Sequence, residues 1–369
     1  YKRQAAIREA VSIPVSVVGR INDPRQAEEI LSNGYADFIC MARELHADPF
    51  FPLKAQKGQE EEIAACVGCL EGCSDRLDVE RAIECTINPR AGRERRLVFS
   101  PVNRRKVVVV VGGGPAGMQA AAVCALRGHQ VVLFEREREL GGQIRYLRRL
   151  PHNDDFAEIV RYLSRQLKST GVRIETGCAA TPSMVYQESP DSVILATGGR
   201  PYVPELPGAG ASLVKTYIDV VDKTSFPEKK AAVIGGEVMG CQLAEFLAER
   251  GIQVTIVEPL EEIATDGGAR HKNFTVPRIR NNPKIDIFTG TAVDQITETS
   301  VAIESESQRV VIEGIDLVVC GMGSVSDPVL AEELIADGLI REVYSVGDCY
   351  WPGKTLDAML DAAQTASRV

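Results

Sequence analysis

Positive charge is scarce in this chain: 42 Lys and Arg stand against 51 Asp and Glu, a net charge of −9 over 369 residues. That balance argues against a nucleic-acid partner. No apolar run reaches membrane-spanning length, and no secretory signal pattern is present, so neither a membrane nor an exported location is expected. Histidine is rare. His46, His129, His152 and His271 are isolated, none beside a matching motif, and they read as structural or surface residues. With 44% hydrophobic and 25% charged residues, the remainder describes an ordinary globular protein of two to three domains.

Cysteine is not scarce. Ten cysteines without an extracellular signature point to a reducing, cytoplasmic compartment and to metal use rather than disulfides. Six of them, Cys40, Cys124, Cys178, Cys241, Cys320 and Cys349, sit singly in apolar stretches and read as small buried hydrophobes. The other four, Cys66, Cys69, Cys73 and Cys85, follow the spacing C-x2-C-x3-C-x11-C. Three thiolates within eight residues and a fourth beyond a short helix can converge on one inorganic centre. Thiolate-only ligation suits an iron–sulfur cluster or zinc. A flavin-type fingerprint begins shortly afterwards, and a cluster beside a flavin is an electron path, so the reading is [4Fe–4S], with structural zinc as the alternative.

The chain opens at Tyr1 without methionine, inside a βα pattern, and reads as a piece of a longer polypeptide. SIPVSVVGRI is an apolar strand; Asp23 and Pro24 then start a helix that Gly34 ends. ADFICMAR is a second strand. These look like the last two units of a (β/α)8 barrel, over residues 1–58, ahead of a cysteine segment at 59–102. Residues 103–226 and 321–369 are expected to form one dinucleotide-binding domain, with a second, at 227–320, inserted. A helix over 154–170 presents Phe156, Ile159, Val160, Leu163 and Leu167 on one face.

Five valines lead into Gly112-x-Gly114-x-x-Gly117, with Pro115 and Ala116 opening a helix. The first glycine permits the turn, the second lets backbone approach a pyrophosphate, and the third lets helix and strand pack closely. The pyrophosphate then faces free N–H groups and the positive end of the helix. Glu135 ends the next strand, as expected of a carboxylate on ribose hydroxyls, followed by Arg136. Gly141-Gly142-Gln143, Ala196-Thr197-Gly198 and Val346-Gly347-Asp348 follow in an order that selects FAD for this site. A second such unit carries Gly235, Gly236 and Gly240, but Glu237 replaces the middle glycine and puts a negative charge where two phosphates should lie. Glu258 ends its next strand and suits the 2′-hydroxyl of NADH while repelling the phosphate of NADPH.

Together these motifs resemble the two-dinucleotide flavoprotein reductases, the superfamily of glutathione and thioredoxin reductases. No cysteine pair lies between the first helix and Gln143, which excludes the disulfide chemistry of that superfamily. With the cysteine run, its trailing Asn88-Pro89 and the opening βα units, the whole chain resembles the C-terminal part of the 2,4-dienoyl-CoA reductase, 2-enoate reductase and trimethylamine dehydrogenase family, large relatives of old yellow enzyme. The resemblance implies FMN in the barrel, its phosphate at Val18-Gly19-Arg20 and Met41-Ala42-Arg43, with alanine at 42 where the family more often has glycine. It also implies about 270 further residues before Tyr1, holding the rest of the barrel and the substrate-side acid.

The function implied is an NADH-dependent ene-reductase, with electrons running from NADH through FAD, a 4Fe–4S cluster and FMN to an activated C=C of an enoyl-CoA, enoate or enone. The alternative is an oxidase of amines resembling trimethylamine or histamine dehydrogenase, with a vestigial NAD domain and a protein electron acceptor. A third reading is an electron-transfer or scaffold piece without catalysis of its own. Substrate identity and oligomeric state are not legible.

Overall fold

The computed structural model describes residues 2–306 and 308–369. Its first part is small. Strands Ser16–Val18 and Phe38–Cys40 pair in parallel, joined by helix Pro24–Ser32. Asp23 caps that helix by accepting the Arg25 N–H at 2.9 Å, and Pro24 occupies its first turn, where a missing N–H costs nothing. Val17, Ile21, Ile30 and Ala36 form a core of their own. Between helices Arg43–Ala47 and Phe51–Gln56 lies buried Asp48, whose carboxylate accepts the Phe50 and Ala64 N–H groups and the Lys54 ammonium.

The cysteine segment has little regular structure beyond helix Ser74–Leu77. It holds its place by packing: Ala64, Val67, Ile87 and Leu97 join the same core as the helices of the following unit. Asn22 donates to the Cys66 carbonyl and Asn88 to the His46 carbonyl, tying the segment to the opening βα units.

Two five-stranded parallel sheets follow. The first runs Glu342–Ser345, Ser192–Leu195, Val107–Val111, Gln130–Glu135, Arg173–Thr176, so the last strand of the chain completes the sheet begun at 107. Its central valines are buried because helices cover both faces, which is why the strand reads as a continuous apolar run. Helices Pro115–Leu126, Ala157–Ser169 and Thr355–Ala366 pack together on one face. Ile159, Leu163 and Leu167 of the expected amphipathic helix are fully buried there.

The second sheet runs Ile285–Phe288, Gln253–Val257, Lys230–Ile234, Leu317–Cys320, Val214–Thr216. It takes in strand Val214–Thr216, ahead of the boundary expected at 227, because that strand pairs with Leu317–Cys320. An antiparallel sheet of Thr291–Ile296, Ser300–Ser305 and Arg309–Glu313 packs beside it. Helix Ala269–Arg280 was not legible in the sequence, since it contains Pro277 and follows two glycines. Buried Thr275 and Ile279, with the Arg278–Glu245 and Arg270–Asp78 ion pairs, hold it instead. Among the described residues, no helix is long and apolar enough to cross a membrane.

Candidate active site

Strand Val107–Val111 ends at Gly112, whose φ of +106° favours glycine. A side chain on Gly117 would drive into the Gly112 carbonyl, so the helix lies hard against the turn. Glu135 braces the turn from below: one carboxylate oxygen accepts the Gly113 N–H at 2.6 Å, the other the Glu137 N–H at 2.8 Å. Each oxygen keeps a lone pair for a ribose hydroxyl. Gly114 caps the helix without a side-chain bond, and only the Gly142 backbone approaches it. The first-turn amides are left for an anion.

This turn opens into a cavity of about 1020 Å³. Every residue expected at FAD lines it, except Gly117, Gly141 and Gly347, which act in packing. Across the cavity runs a chain of hydrogen bonds: Tyr217 Oη donates to Gln143 Oε1, and Gln143 Nε2 donates to Asp348 Oδ2, both at 2.8 Å. Burial pushes the Asp348 carboxyl above its usual range, against the Gly353 N–H and Gln143 amide that hold it down. The room, the open helix terminus and the carboxylates fit a flavin dinucleotide.

Cys66, Cys69, Cys73 and Cys85 line a second, small pocket with Arg43, His46, Glu84 and Thr86. The thiols ring this pocket; among the described residues no three His, Cys, Asp or Glu side chains converge as on a single ion. Burial pushes the Cys69 thiol up to about 12 and the Cys85 thiol to about 11. Val67, Gly68, Cys69 and Leu70 belong to the walls of both cavities.

The residues expected at an FMN phosphate lie at adjoining strand ends and fit that group in part. Nothing approaches the open face of Gly19, whose φ is +126°. Arg20, however, is ion-paired with Asp155; Arg43 stands in the wall of the cysteine pocket; and the Ala42 N–H is taken by Glu44 at 3.2 Å.

The second glycine turn repeats the first. Gly235 has φ +96°, and a side chain on Gly240 would strike the Gly235 carbonyl. Glu258 accepts the Gly236 N–H at 2.6 Å and the Leu260 N–H at 2.8 Å, bracing its turn as Glu135 does. Glu237 is exposed at the helix N-cap without a capping bond. Partial desolvation, then the neighbouring Asp266 and Glu258, hold its carboxyl above the usual range.

Three of the four histidines, isolated in the sequence, line a cavity. His46 lines the cysteine pocket, and His152 and His271 line the large cavity with Asn153 and Arg278. His129 is buried and accepts the Lys106 N–H. These side chains and Tyr217 come from separate elements, so no local spacing could have announced them.

Residues 106–368 match the model of the pyridine nucleotide-disulphide oxidoreductase family. The chain belongs to that family. Residues 1–62 match a second one, the NADH:flavin oxidoreductase / NADH oxidase family. The NADH oxidase of Thermoanaerobacter brockii is 37% identical over 98% of this chain and 56% of its own length. The bilirubin reductase of Mediterraneibacter gnavus is 34% identical over 100% of this chain and 57% of its own. Among solved structures, a 2-naphthoyl-CoA reductase superposes with a TM-score of 0.92 at 29% identity, covering 98% of this chain and 55% of that one. The chain thus spans about half the length of the curated relatives it matches. The order of the two matches along the chain is that of the large old-yellow-enzyme relatives, as the motifs implied.

Proposed function

We propose that this chain carries the electron-input part of an NADH-dependent ene-reductase. The observation that carries the reading is the shared wall: Val67–Leu70, with ligand candidate Cys69 at its centre, separates the flavin cavity from the cysteine pocket. The residues that would hold FAD are those of the first glycine turn, with Glu135, Gln143 and Asp348. Cys66, Cys69, Cys73 and Cys85 would hold a 4Fe–4S cluster, and a ring of thiols around a pocket suits a polynuclear centre. Bound together, these groups supply two-electron acceptance from NADH and one-electron release toward an FMN in the barrel and an activated C=C.

The chain's own residues do the positioning. Glu135 fixes the turn, Gln143 and Tyr217 hold Asp348 in the flavin cavity, and buried Val67 anchors the Val67–Leu70 loop that forms the shared wall. Arg20 would serve an FMN phosphate only by exchanging Asp155 for it.

Iron and sulfide analysis tests the centre: about four of each per chain are expected, and stoichiometric zinc without iron would refute it. Anaerobic mixing with NADH tests the direction, and rapid bleaching of the flavin is expected. The amine-oxidising alternative is favoured by one observation, the acidic cap of the second glycine turn. It takes over if NADH leaves the flavin oxidised while an amine reduces the cluster.

A further inference from the structure

The two glycine turns correspond position for position at a constant spacing along the chain: Gly112 with Gly235, Glu135 with Glu258, Gly141 with Ala264, Gln143 with Asp266. The Gly141 N–H donates to the Gly113 carbonyl, and the Ala264 N–H to the Gly236 carbonyl. At one point the correspondence fails. Position 115 is proline and offers no N–H, whereas its counterpart Val238 does, and Asp266 Oδ1 accepts that N–H at 2.8 Å. Gln143 turns away from its own helix, to Asp348 and Tyr217. The loop bearing Asp266 is also tied down. Lys354 Nζ donates to the Asp266 carbonyl at 2.8 Å, and the same ammonium lies 3.6 Å from Glu71 in the cysteine segment. Val238, Asp266, Gly267, Gly268 and Lys354 all face the large cavity.

We propose that Asp266 is an electrostatic gate, a carboxylate of the chain's own that occupies the pyrophosphate position of the second unit and must withdraw before a dinucleotide binds. The proposal rests on the reading that this unit takes NADH. A pyrophosphate approaching the closed form meets Asp266, Glu237 and Glu258 around one helix terminus. One first-turn donor is then unavailable to it, since Asp266 holds the Val238 N–H, whereas Gly236, held by Glu258, is engaged just as Gly113 is in the first unit. Withdrawal of the loop frees the Val238 N–H and removes the nearest negative charge. It also frees the Lys354 ammonium, which lies 3.6 Å from Glu71.

Equilibrium binding of NADH and of ADP to the flavin- and cluster-loaded protein tests this. Asp266→Asn removes the charge and keeps the shape; Asp266→Ala removes the cap as well. Both are expected to bind both nucleotides about five- to ten-fold more tightly than the native protein. Glu313→Gln, the same change in net charge on the antiparallel sheet, is expected to leave binding unchanged. Native flavin content and melting temperature in Asp266→Asn establish that the fold is intact. If the native protein binds NADH as tightly as both Asp266 variants, the gate is refuted while the NADH reading stands. If no form binds NADH or ADP, the gate is refuted and the NADH reading falls with it.

Discussion

The two nucleotide-binding units of this protein share a backbone and differ in what stands at the end of one helix. In the first, Gly114 and Pro115 leave the terminus bare, with only the Gly142 backbone nearby. In the second, Glu237 and Val238 replace them, and Asp266 sits on the freed N–H. Both turns are braced by a buried glutamate making the same pair of hydrogen bonds, so the fold does not depend on the ligand site being open. Packing glycines and bracing carboxylates build the turn. On the proposal above, the residue at the cap then decides whether the turn receives an anion.

The sharpest way to break the comparison is to give the first unit an acidic cap like that of the second. Gly114→Asp places a carboxylate against the flavin pyrophosphate and is expected to strip FAD from the purified protein. Full flavin absorbance in that variant would count decisively against the site. Next in size are the two packing glycines. Gly117→Ala and Gly240→Ala each force a methyl group into the carbonyl of Gly112 or Gly235, and each should destabilise its unit by about 3 kcal/mol. Thermal melts should show similar losses. A silent Gly240→Ala would mean that the second unit is the looser of the two. The smallest effect is expected from Glu237→Gly, which removes one exposed like charge and should tighten NADH binding by about 1 kcal/mol, roughly five-fold. Unchanged binding measured by titration would leave Asp266 alone as the source of the difference.

Much of this is legible in the amino-acid sequence. The valine run, the two glycine turns and Glu135 are local signals, because a tight turn, a close helix and a ribose carboxylate each need a given residue at a given spacing. The four cysteines are similarly local, three of them within one loop. Strand Val214–Thr216 and helix Ala269–Arg280 are not legible there, since the first is fixed by a distant partner strand and the second is held by packing and ion pairs despite Pro277. The Arg20–Asp155 ion pair is not legible either, because Asp155 lies far along the chain.

By itself, then, the sequence determined the kinds of backbone this protein makes and the chemistry of its individual motifs, because turns, caps and apolar strands are set by residues close together in the chain. Only the tertiary structure decided which motifs share a wall. The Val67–Leu70 loop faces both cavities, His271 and Tyr217 enter the larger one from separate elements, and Asp266 reaches the terminus of a helix that begins well before it. Contacts of that kind depend on how packed units lie against one another, and the burial that fixes them is summed over many residues that carry no motif.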